Sequence, residues 1–175
     1  MKIREAFPDD AQAISNIHTE SWRETYQNAL SFEYLSDIVP FERQKVWIDR
    51  LQNPKMNQHV LVAEIDERIV GFVCIYSDEN PKWGSYLDNL HVIKAHQSKG
   101  IGKTLLTQAM KWSAIQIPDK GMCLLVNQDN TNAQRFYKSF GAKNAEEGVW
   151  NAPDGSAVPT YWFVWDSTDL QAQYG

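Results

Sequence analysis

The chain has 175 residues, which suits a single domain with a substantial buried core. Its net charge of −5 argues against a nucleic-acid partner, because phosphate binding needs a basic face. The longest apolar run, IVGFVCIY, is too short for a membrane span, and the N-terminus lacks an apolar signal segment. We therefore expect one cytoplasmic domain over residues 1–166, followed by a tail over residues 167–175.

The first half of the chain predicts a strand, helices and three further strands. MKIREA is typical of a short strand, and PDDAQAISNIHTESW is typical of a helix with regularly spaced apolar positions. SFEYLSDIVPFERQKVWIDRLQN predicts one or two short helices, broken near Pro40. HVLVAEIDERIVGFVCIYS predicts a β-hairpin around a polar DER turn, and GSYLDNLHVI predicts a fourth strand.

The second half predicts a glycine turn followed by alternating helices and strands. A helix is expected from about Gly102 to Ile117, and MCLLV predicts a buried strand. NTNAQRFYKSFG predicts a helix that Gly141 closes. EEGVWNA and VPTYWFVW predict two final strands around the turn PDG, and STDLQAQYG is expected to be a loose tail.

The cysteines and histidines do not form a pattern with a chemical role. Cys74 and Cys123 lie in apolar strand-like runs, so we expect buried free thiols without a disulfide. The four histidines are scattered, and His91 and His96 have no partners at ligand spacing. We therefore expect no metal site.

The glycine turn GIGKT, at residues 100–104, resembles the end of a P-loop. A P-loop needs glycine at position 97, where this chain has Gln97. A hairpin precedes the turn, and too few residues follow it for the remaining crossover units of a P-loop sheet. The next apolar strand ends in Asn127 rather than in an aspartate for magnesium. These mismatches argue against a nucleoside triphosphatase.

A glycine-rich turn that opens a helix can still bind phosphate, because free backbone N–H groups and the helix dipole point at the anion. Gly100 and Gly102 permit close approach of the backbone, and Lys99 and Lys103 add positive charge. The turn alone leaves two interpretations open, a pyrophosphate site over residues 97–103 and a tight turn without a ligand.

Two motifs resemble those of the GNAT family of N-acetyltransferases. QSKGIG matches the family's loop signature, [QR]-x-x-G-x-[GA], and LDNLHV before it resembles the family's central strand. About 30 residues later, NTNAQRFYKSFGA resembles the family's N-x-x-A-x-x-F-Y-x-x-x-G-F segment. Ala142 replaces the usual phenylalanine, a departure that touches packing. The order of the elements also agrees, so the resemblance covers nearly the whole chain.

The resemblance implies the GNAT fold, an α/β architecture with a central mixed, mostly antiparallel twisted sheet. The sheet should have about seven strands, splay at the fourth strand and be flanked by about four to five helices. It also implies acetyl-CoA as co-substrate, with pantetheine along the fourth strand and pyrophosphate at the glycine turn. By the same resemblance, the CoA-binding residues are Leu90, His91, Val92, Gln97, Ser98, Lys99, Gly100, Ile101, Gly102, Lys103, Asn130 and Tyr137.

The implied reaction is direct attack of a primary amine on the thioester in a ternary complex. Tyr137 would protonate the leaving thiolate as a general acid. A carboxylate or an ordered water on the central strand could take the proton of the amine, and Asp88 is our candidate base. At the neighbouring place, where many relatives carry glutamate, this chain has Tyr86. Trp22, Tyr26 and Tyr86 are the candidate acceptor-binding residues.

Each of these assignments has a structural alternative. Tyr137 and the acceptor-pocket aromatics could be core residues, and Asn130 could be only a helix cap. Asp88 could be a salt-bridge or solvent-facing residue.

The expected partner is a small-molecule or peptide amine, with neither nucleic acid nor membrane, and a homodimer is compatible with the sequence. The acidic chain, with Asp88 near the expected thioester position, favours small cationic amines as acceptors. Two rival functions remain open. One is a non-catalytic acyl-CoA sensor or interaction module of the same fold, and the other is a pyrophosphate site for a different nucleotide cofactor.

Overall fold

The computed structural model describes residues 1–174, which form two compact units. The first unit comprises Met1–Cys74 and Asn89–Gln108, and the second comprises Ile75–Asp88 and the residues from Ala109 onward. The strands are β1 (Lys2–Glu5), β2 (Gln58–Ile65), β3 (Arg68–Asn80), β4 (Gly84–Val92), β5 (Met122–Asn127), β6 (Lys143–Asn151) and β7 (Ala157–Trp165). The helices are α1 (Ala11–Thr25), α2 (Val39–Gln52), α3 (Ile101–Gln116), α4 (Thr131–Ser139) and α5 (Ser167–Tyr174).

The strands belong to one mixed sheet in the order β1-β2-β3-β4-β5-β7-β6. β4 and β5 pair in parallel, whereas β1 with β2, β5 with β7, and β6 with β7 pair antiparallel. The predicted α/β class, the mixed sheet of about seven strands and the number of helices are confirmed.

In the first unit, α1 and α2 bury apolar side chains at helical spacing. Ile14, Ile17 and Trp22 of α1 are buried, as are Trp47 and Leu51 of α2. This spacing places each set on one side of its helix.

The predicted hairpin of β2 and β3 closes through two residues, Asp66 and Glu67. Both have left-handed backbone angles, with φ of 48° and 61°. Two consecutive positive φ values are typical of the hairpin turns whose twist matches that of the strands. The polar DER turn of the sequence is therefore confirmed, and Arg68 is the first residue of β3.

The prediction of a helix break at Pro40 is wrong. A single π-helical turn, Tyr34–Ile38, leads directly into α2, and Pro40 lies in the first turn of that helix. Proline is tolerated there because the first N–H groups of a helix have no acceptor within the helix. Pro40 therefore lies near the beginning of a continuous α2.

In the second unit, β5 is paired along its whole length with β7, from Met122 with Trp165 to Asn127 with Thr160. The parallel register of β4 with β5 covers two residue pairs, Ser85 with Met122 and Tyr86 with Cys123. The expected splay at the fourth strand is a feature of the family, and it stays a prediction here.

Both cysteines are buried and free, as predicted. Burial raises the pKa of the Cys123 thiol to about 12, so this thiol stays protonated at neutral pH. The buried cysteines therefore act as apolar core residues.

The prediction of a loose C-terminal tail is wrong for Ser167–Tyr174, which forms α5. Leu170 is 1% exposed, and the side-chain amide of Gln171 donates to the Ala114 carbonyl oxygen at 2.8 Å. One buried leucine in a polar stretch leaves little signal in the sequence. Among residues 1–174, no helix is both long and apolar enough to cross a membrane.

Candidate active site

The loop between β4 and α3 has the backbone shape that the glycine motif predicts. A short 3-10 turn, Lys94–His96, follows β4, and then Ser98 and Gly100 adopt left-handed conformations with φ of 60° and 81°. A Cβ atom at Gly100 would meet no atom within 4 Å. Glycine is therefore favoured at position 100 by its backbone angle and not by crowding.

The N-terminus of α3 presents free backbone donors. The N–H of Thr104 donates to the Gly100 carbonyl oxygen at 3.0 Å, which is the first turn of hydrogen bonding in the helix. The N–H groups of Ile101, Gly102 and Lys103 precede this bond and have no acceptor within the helix. Together with the helix dipole, these groups make a suitable position for an anion.

The side chain of Gln97 ties the loop back to the end of β4. Its Nε2 atom donates to the Val92 carbonyl oxygen at 3.1 Å. Ser98 and Lys99 follow as exposed residues. Gln97 thus holds the first part of the loop, which leaves the backbone after it exposed.

β3 and β4 approach each other closely within the first unit. A Cβ atom built on Gly71 would lie 2.8 Å from the His91 carbonyl oxygen and 3.1 Å from Cγ2 of Val92. Only glycine at position 71 permits this approach without displacing the β4 backbone. The close approach involves His91 and Val92, two of the three residues that the family resemblance assigns to pantetheine.

His18, on α1, stacks on His91, on β4. The rings of His18 and His91 are 4.9 Å apart, and Nδ1 of His91 lies 2.6 Å from Oγ of Ser21. His18 is buried, and its Nδ1 accepts a hydrogen bond from the Trp47 indole at 2.9 Å. Burial lowers the pKa of His91 to about 4 and lowers the pKa of His18 well below its usual value. Both rings are therefore neutral at neutral pH.

Two arginines of α2 lie over tryptophan rings of the same unit. The Arg43 guanidinium is 4.4 Å from the centre of the Trp22 ring, and that of Arg50 is 5.1 Å from the Trp47 ring. Arg50 also donates from Nη1 to Oδ1 of Asn89, on β4, at 3.1 Å. Both arginines therefore contribute positive charge beside a largely aromatic group.

The predicted acceptor residues of α1 are partly core residues. Trp22 is 8% exposed, and Tyr26 packs against it edge-on with ring centres 5.5 Å apart. Tyr26 is half-buried and remains a candidate contact for an acceptor.

Four residues of this region were not among the site residues predicted from the sequence: Ser21, Asn89, Arg43 and Arg50. Arg43, Trp47 and Arg50 stand at i, i+4 and i+7, so they share one face of α2. That spacing was visible in the sequence, since all three residues follow Pro40, but it does not show what this face of α2 contacts.

In the second unit, Asn130 caps α4. Its Oδ1 atom accepts from the Ala133 N–H at 3.0 Å, which confirms the capping role. The contact uses one oxygen, and the Nδ2 donor is not part of it. A contact of Asn130 with pantetheine is compatible with the cap and stays a prediction.

Tyr137, Tyr86 and Asp88 are half-buried residues of the second unit. The Tyr137 ring meets Trp165 edge-on at 6.2 Å and Phe136 at 5.3 Å, and the Tyr86 ring lies 6.1 Å from Trp162. The aromatic surroundings of the two tyrosines suit core packing. Because all three residues are partly exposed, the tyrosine hydroxyls and the Asp88 carboxylate are candidates for contact with substrates. Their roles in the reaction stay predictions.

Histidine, cysteine and acidic side chains form no cluster of three or more that could hold a metal ion anywhere in residues 1–174.

The acetyltransferase (GNAT) family model matches residues 11–142. An uncharacterized N-acetyltransferase of Archaeoglobus fulgidus is 30% identical over 153 residues, covering 85% of this chain and 97% of that relative. A spermidine N(1)-acetyltransferase of Thermoplasma acidophilum is 26% identical over 150 residues, covering 82% and 88% of the two chains.

Among solved structures, the PaiA N-acetyltransferase of Thermoplasma acidophilum in complex with coenzyme A superposes with a TM-score of 0.69. It is 22% identical, and the match covers 91% of this chain and 96% of that chain. At this level of identity the likeness shows a shared fold.

Proposed function

Because the chain belongs to the GNAT acetyltransferase family, we propose that it transfers an acetyl group from acetyl-CoA to a primary amine of a small molecule or peptide. The observation that supports this most is the loop before α3. Left-handed angles at Ser98 and Gly100 precede a 16-residue helix with free N–H groups in its first turn. A pyrophosphate is a suitable ligand for such donors.

In this proposal, the backbone of Leu90, His91 and Val92 pairs with pantetheine and holds the thioester. The loop from Gln97 to Lys103 holds the pyrophosphate, with Lys99 and Lys103 adding positive charge. In the second unit, Asn130 contributes its free Nδ2 donor to the pantetheine arm. These roles come from the family resemblance, and the local geometry of each residue is compatible with its role.

The reaction is a direct transfer in a ternary complex. The neutral amine nitrogen attacks the thioester carbon, and a backbone N–H of β4 stabilises the growing charge on the carbonyl oxygen. As the bond from carbon to sulfur breaks, the thiolate leaves and takes the proton of the Tyr137 hydroxyl. The amine loses its proton to Asp88, directly or through a water, which leaves the amide product and free CoA.

Thermal unfolding with and without CoA tests the cofactor assignment. CoA should raise the melting temperature by mass action, because it binds the folded state. Gly102→Val adds a branched side chain beside the loop donors, so it should abolish the shift. Gln108→Val, at an exposed position of the same helix, is the matched control and should keep it. A folded Gly102→Val protein with the full shift would refute the loop assignment.

A second assay tests catalysis. Free CoA thiol is measured with a broad panel of amines, together with the mass of each product. Release that depends on an amine and yields its acetylated form supports the enzyme. CoA binding without release for every amine would instead favour the sensor function.

A further inference from the structure

The Trp47 indole determines which tautomer the neutral His18 ring adopts. The Trp47 indole N–H can only donate, and it points at Nδ1 of His18 at 2.9 Å. A proton on Nδ1 would oppose that donor, so the ring carries its one proton on Nε2. His18 is 1% exposed and therefore presents a buried N–H donor at Nε2.

The atom next to this donor is another donor. Nδ2 of Asn89 lies 3.4 Å from Nε2 of His18, while Oδ1 of Asn89 accepts from Arg50 at 3.1 Å. Turning the amide over would satisfy His18 but would set the amide N–H against the guanidinium. In either orientation of the Asn89 amide, its N–H group faces another N–H donor, which belongs to His18 or to Arg50. An additional acceptor atom between the two opposed donors would satisfy both of them.

The two arginines near His18 are both positively charged. Burial is the largest cause of the lowered pKa of His18, and Arg43 and Arg50 act in the same direction. Arg43 and Arg50 carry fixed positive charge, and Nδ2 of Asn89 and Nε2 of His18 are the N–H groups that oppose each other. This combination of surplus donors and positive charge is suited to an anion with oxygen acceptors.

This group is only partly buried. His18 is buried, but Asn89, Arg43 and Arg50 are half-buried, as is His91, which stacks on His18. The His91 backbone is one of the positions that we assign to the thioester. An acceptor anchored at these donors would therefore present its amine beside β4.

We propose that His18, Arg43, Arg50 and Asn89, the donor cluster, recognise a carboxylate on the acceptor, so that amino acids are preferred over polyamines. The inference rests on the proposed acetyl transfer and specifies its substrate class. It opposes the expectation of cationic acceptors, which came from the acidic chain and from Asp88 near the expected thioester position. The two arginines of the donor cluster carry positive charge although the chain is acidic.

The first test compares matched amines with and without the carboxylate. An ω-amino acid and its carboxamide, such as 4-aminobutanoate and 4-aminobutanamide, share length and a distant amine of similar basicity. The panel extends this pair over several chain lengths and adds α-amino acids, their amides and spermidine. The carboxylate member of the best pair should have a kcat/KM at least about tenfold higher than its amide and than spermidine.

The second test places the missing acceptor in the protein. Asn89→Asp sets a carboxylate between Arg50 and His18, so it should raise the melting temperature and compete with the acceptor's carboxylate. The ratio of kcat/KM for the carboxylate amine to that for its amide should fall to about one, as expected when a charge-assisted contact is lost. The rise in melting temperature that CoA causes should not change. Gln52→Glu adds the same charge at an exposed position of α2 and should keep the preference.

Arg50→Gln gives an independent variant if Asn89→Asp folds poorly, and it should also reduce the preference. An amide or spermidine that matches the carboxylate amine in the parent would overturn the inference and leave acetyl transfer intact. An unchanged preference in both variants would overturn it equally. The absence of transfer to any amine, with CoA still bound, would instead contradict the proposed function.

Discussion

Oγ of Ser21, on α1, lies 2.6 Å from Nδ1 of His91, on β4. This contact joins residues 70 positions apart and fixes the imidazole beside the backbone that we assign to the thioester. Gly71 of β3 lies against the same residue from another side. His91 is therefore positioned by both its side chain and its main chain.

Ser21→Ala removes the hydroxyl group, so Nδ1 of His91 loses this hydrogen bond. We expect the free energy of unfolding to fall by about 1 kcal/mol, the usual net value of such a bond. Denaturant unfolding measures the change. Ser139→Ala, which removes an exposed hydroxyl from α4, should change the stability less. Equal losses in the two variants would mean that the contact with His91 contributes nothing specific.

Tyr137→Phe removes one hydroxyl and keeps the ring that packs against Trp165 and Phe136. If this hydroxyl protonates the leaving thiolate, kcat should fall by ~10²–10⁴, while CoA affinity stays nearly the same. Steady-state kinetics and CoA titration separate the two quantities. Full activity in the variant would show that water supplies the proton and that Tyr137 is a packing residue.

Substitutions at Asn130 separate its capping role from its proposed role in binding. Asn130→Ala loses the cap to the Ala133 N–H and should cost about 1 kcal/mol of stability. Asn130→Asp keeps an oxygen for the cap but loses the Nδ2 donor, so it should stay stable and bind CoA more weakly. Unfolding curves and CoA titrations of both variants give the comparison. A stable Asn130→Asp protein with parental CoA affinity would limit Asn130 to the cap.

The stability of the protein should fall as the pH drops from 6.5 to about 4. Burial lowers the pKa of His91 from 6.5 to about 4, so in this window the unfolded state binds a proton that the folded state does not. Stability from this group is full above pH 6.5 and is lost as the pH falls through the window. His18 acts in the same direction.

The pKa shift of His91 sets an upper bound of about 3 kcal/mol on the stability lost across this window. We expect a smaller loss, because the side chain is only half-buried. Denaturant unfolding along a pH series measures it, and His91→Phe should flatten the slope. A parent whose stability does not change across the window would contradict this account.

Asp88→Asn tests the proposed base. If Asp88 accepts the proton of the amine, kcat/KM should fall, and the loss should be largest at low pH, where fewer amine molecules are already neutral. The experiment is a pH series on parent and variant with the best acceptor from the panel. Superimposable pH profiles would remove Asp88 from the mechanism.

The elements that local sequence determines were predicted well. Two polar turn residues, Asp66 and Glu67, sufficed for the hairpin, and Asn130 with Gly141 marked the two ends of α4. The break predicted at Pro40 is absent because proline disrupts a helix in its interior, and Pro40 stands in the first turn of α2. The helix α5 was missed because Leu170 is its one buried residue among those described.

The candidate site was only partly predictable. The loop that we propose for the pyrophosphate is a continuous motif, so its residues, Gln97 to Lys103, could be predicted from the sequence. The donor cluster depends on contacts between residues far apart, such as Trp47 with His18, 29 positions away, and Asn89 with His18, 71 positions away. Such pairs form through the packing of α1 and α2 with the strands, which local periodicity does not specify.

The release of free CoA thiol from acetyl-CoA, followed with the amine panel in the parent and in Tyr137→Phe, tests acetyl transfer most directly. We predict release that requires an amine, equals the amount of acetylated amine formed, and slows by ~10²–10⁴ in the variant at unchanged CoA affinity. CoA binding without amine-dependent release in the parent, for every acceptor in the panel, would contradict the account.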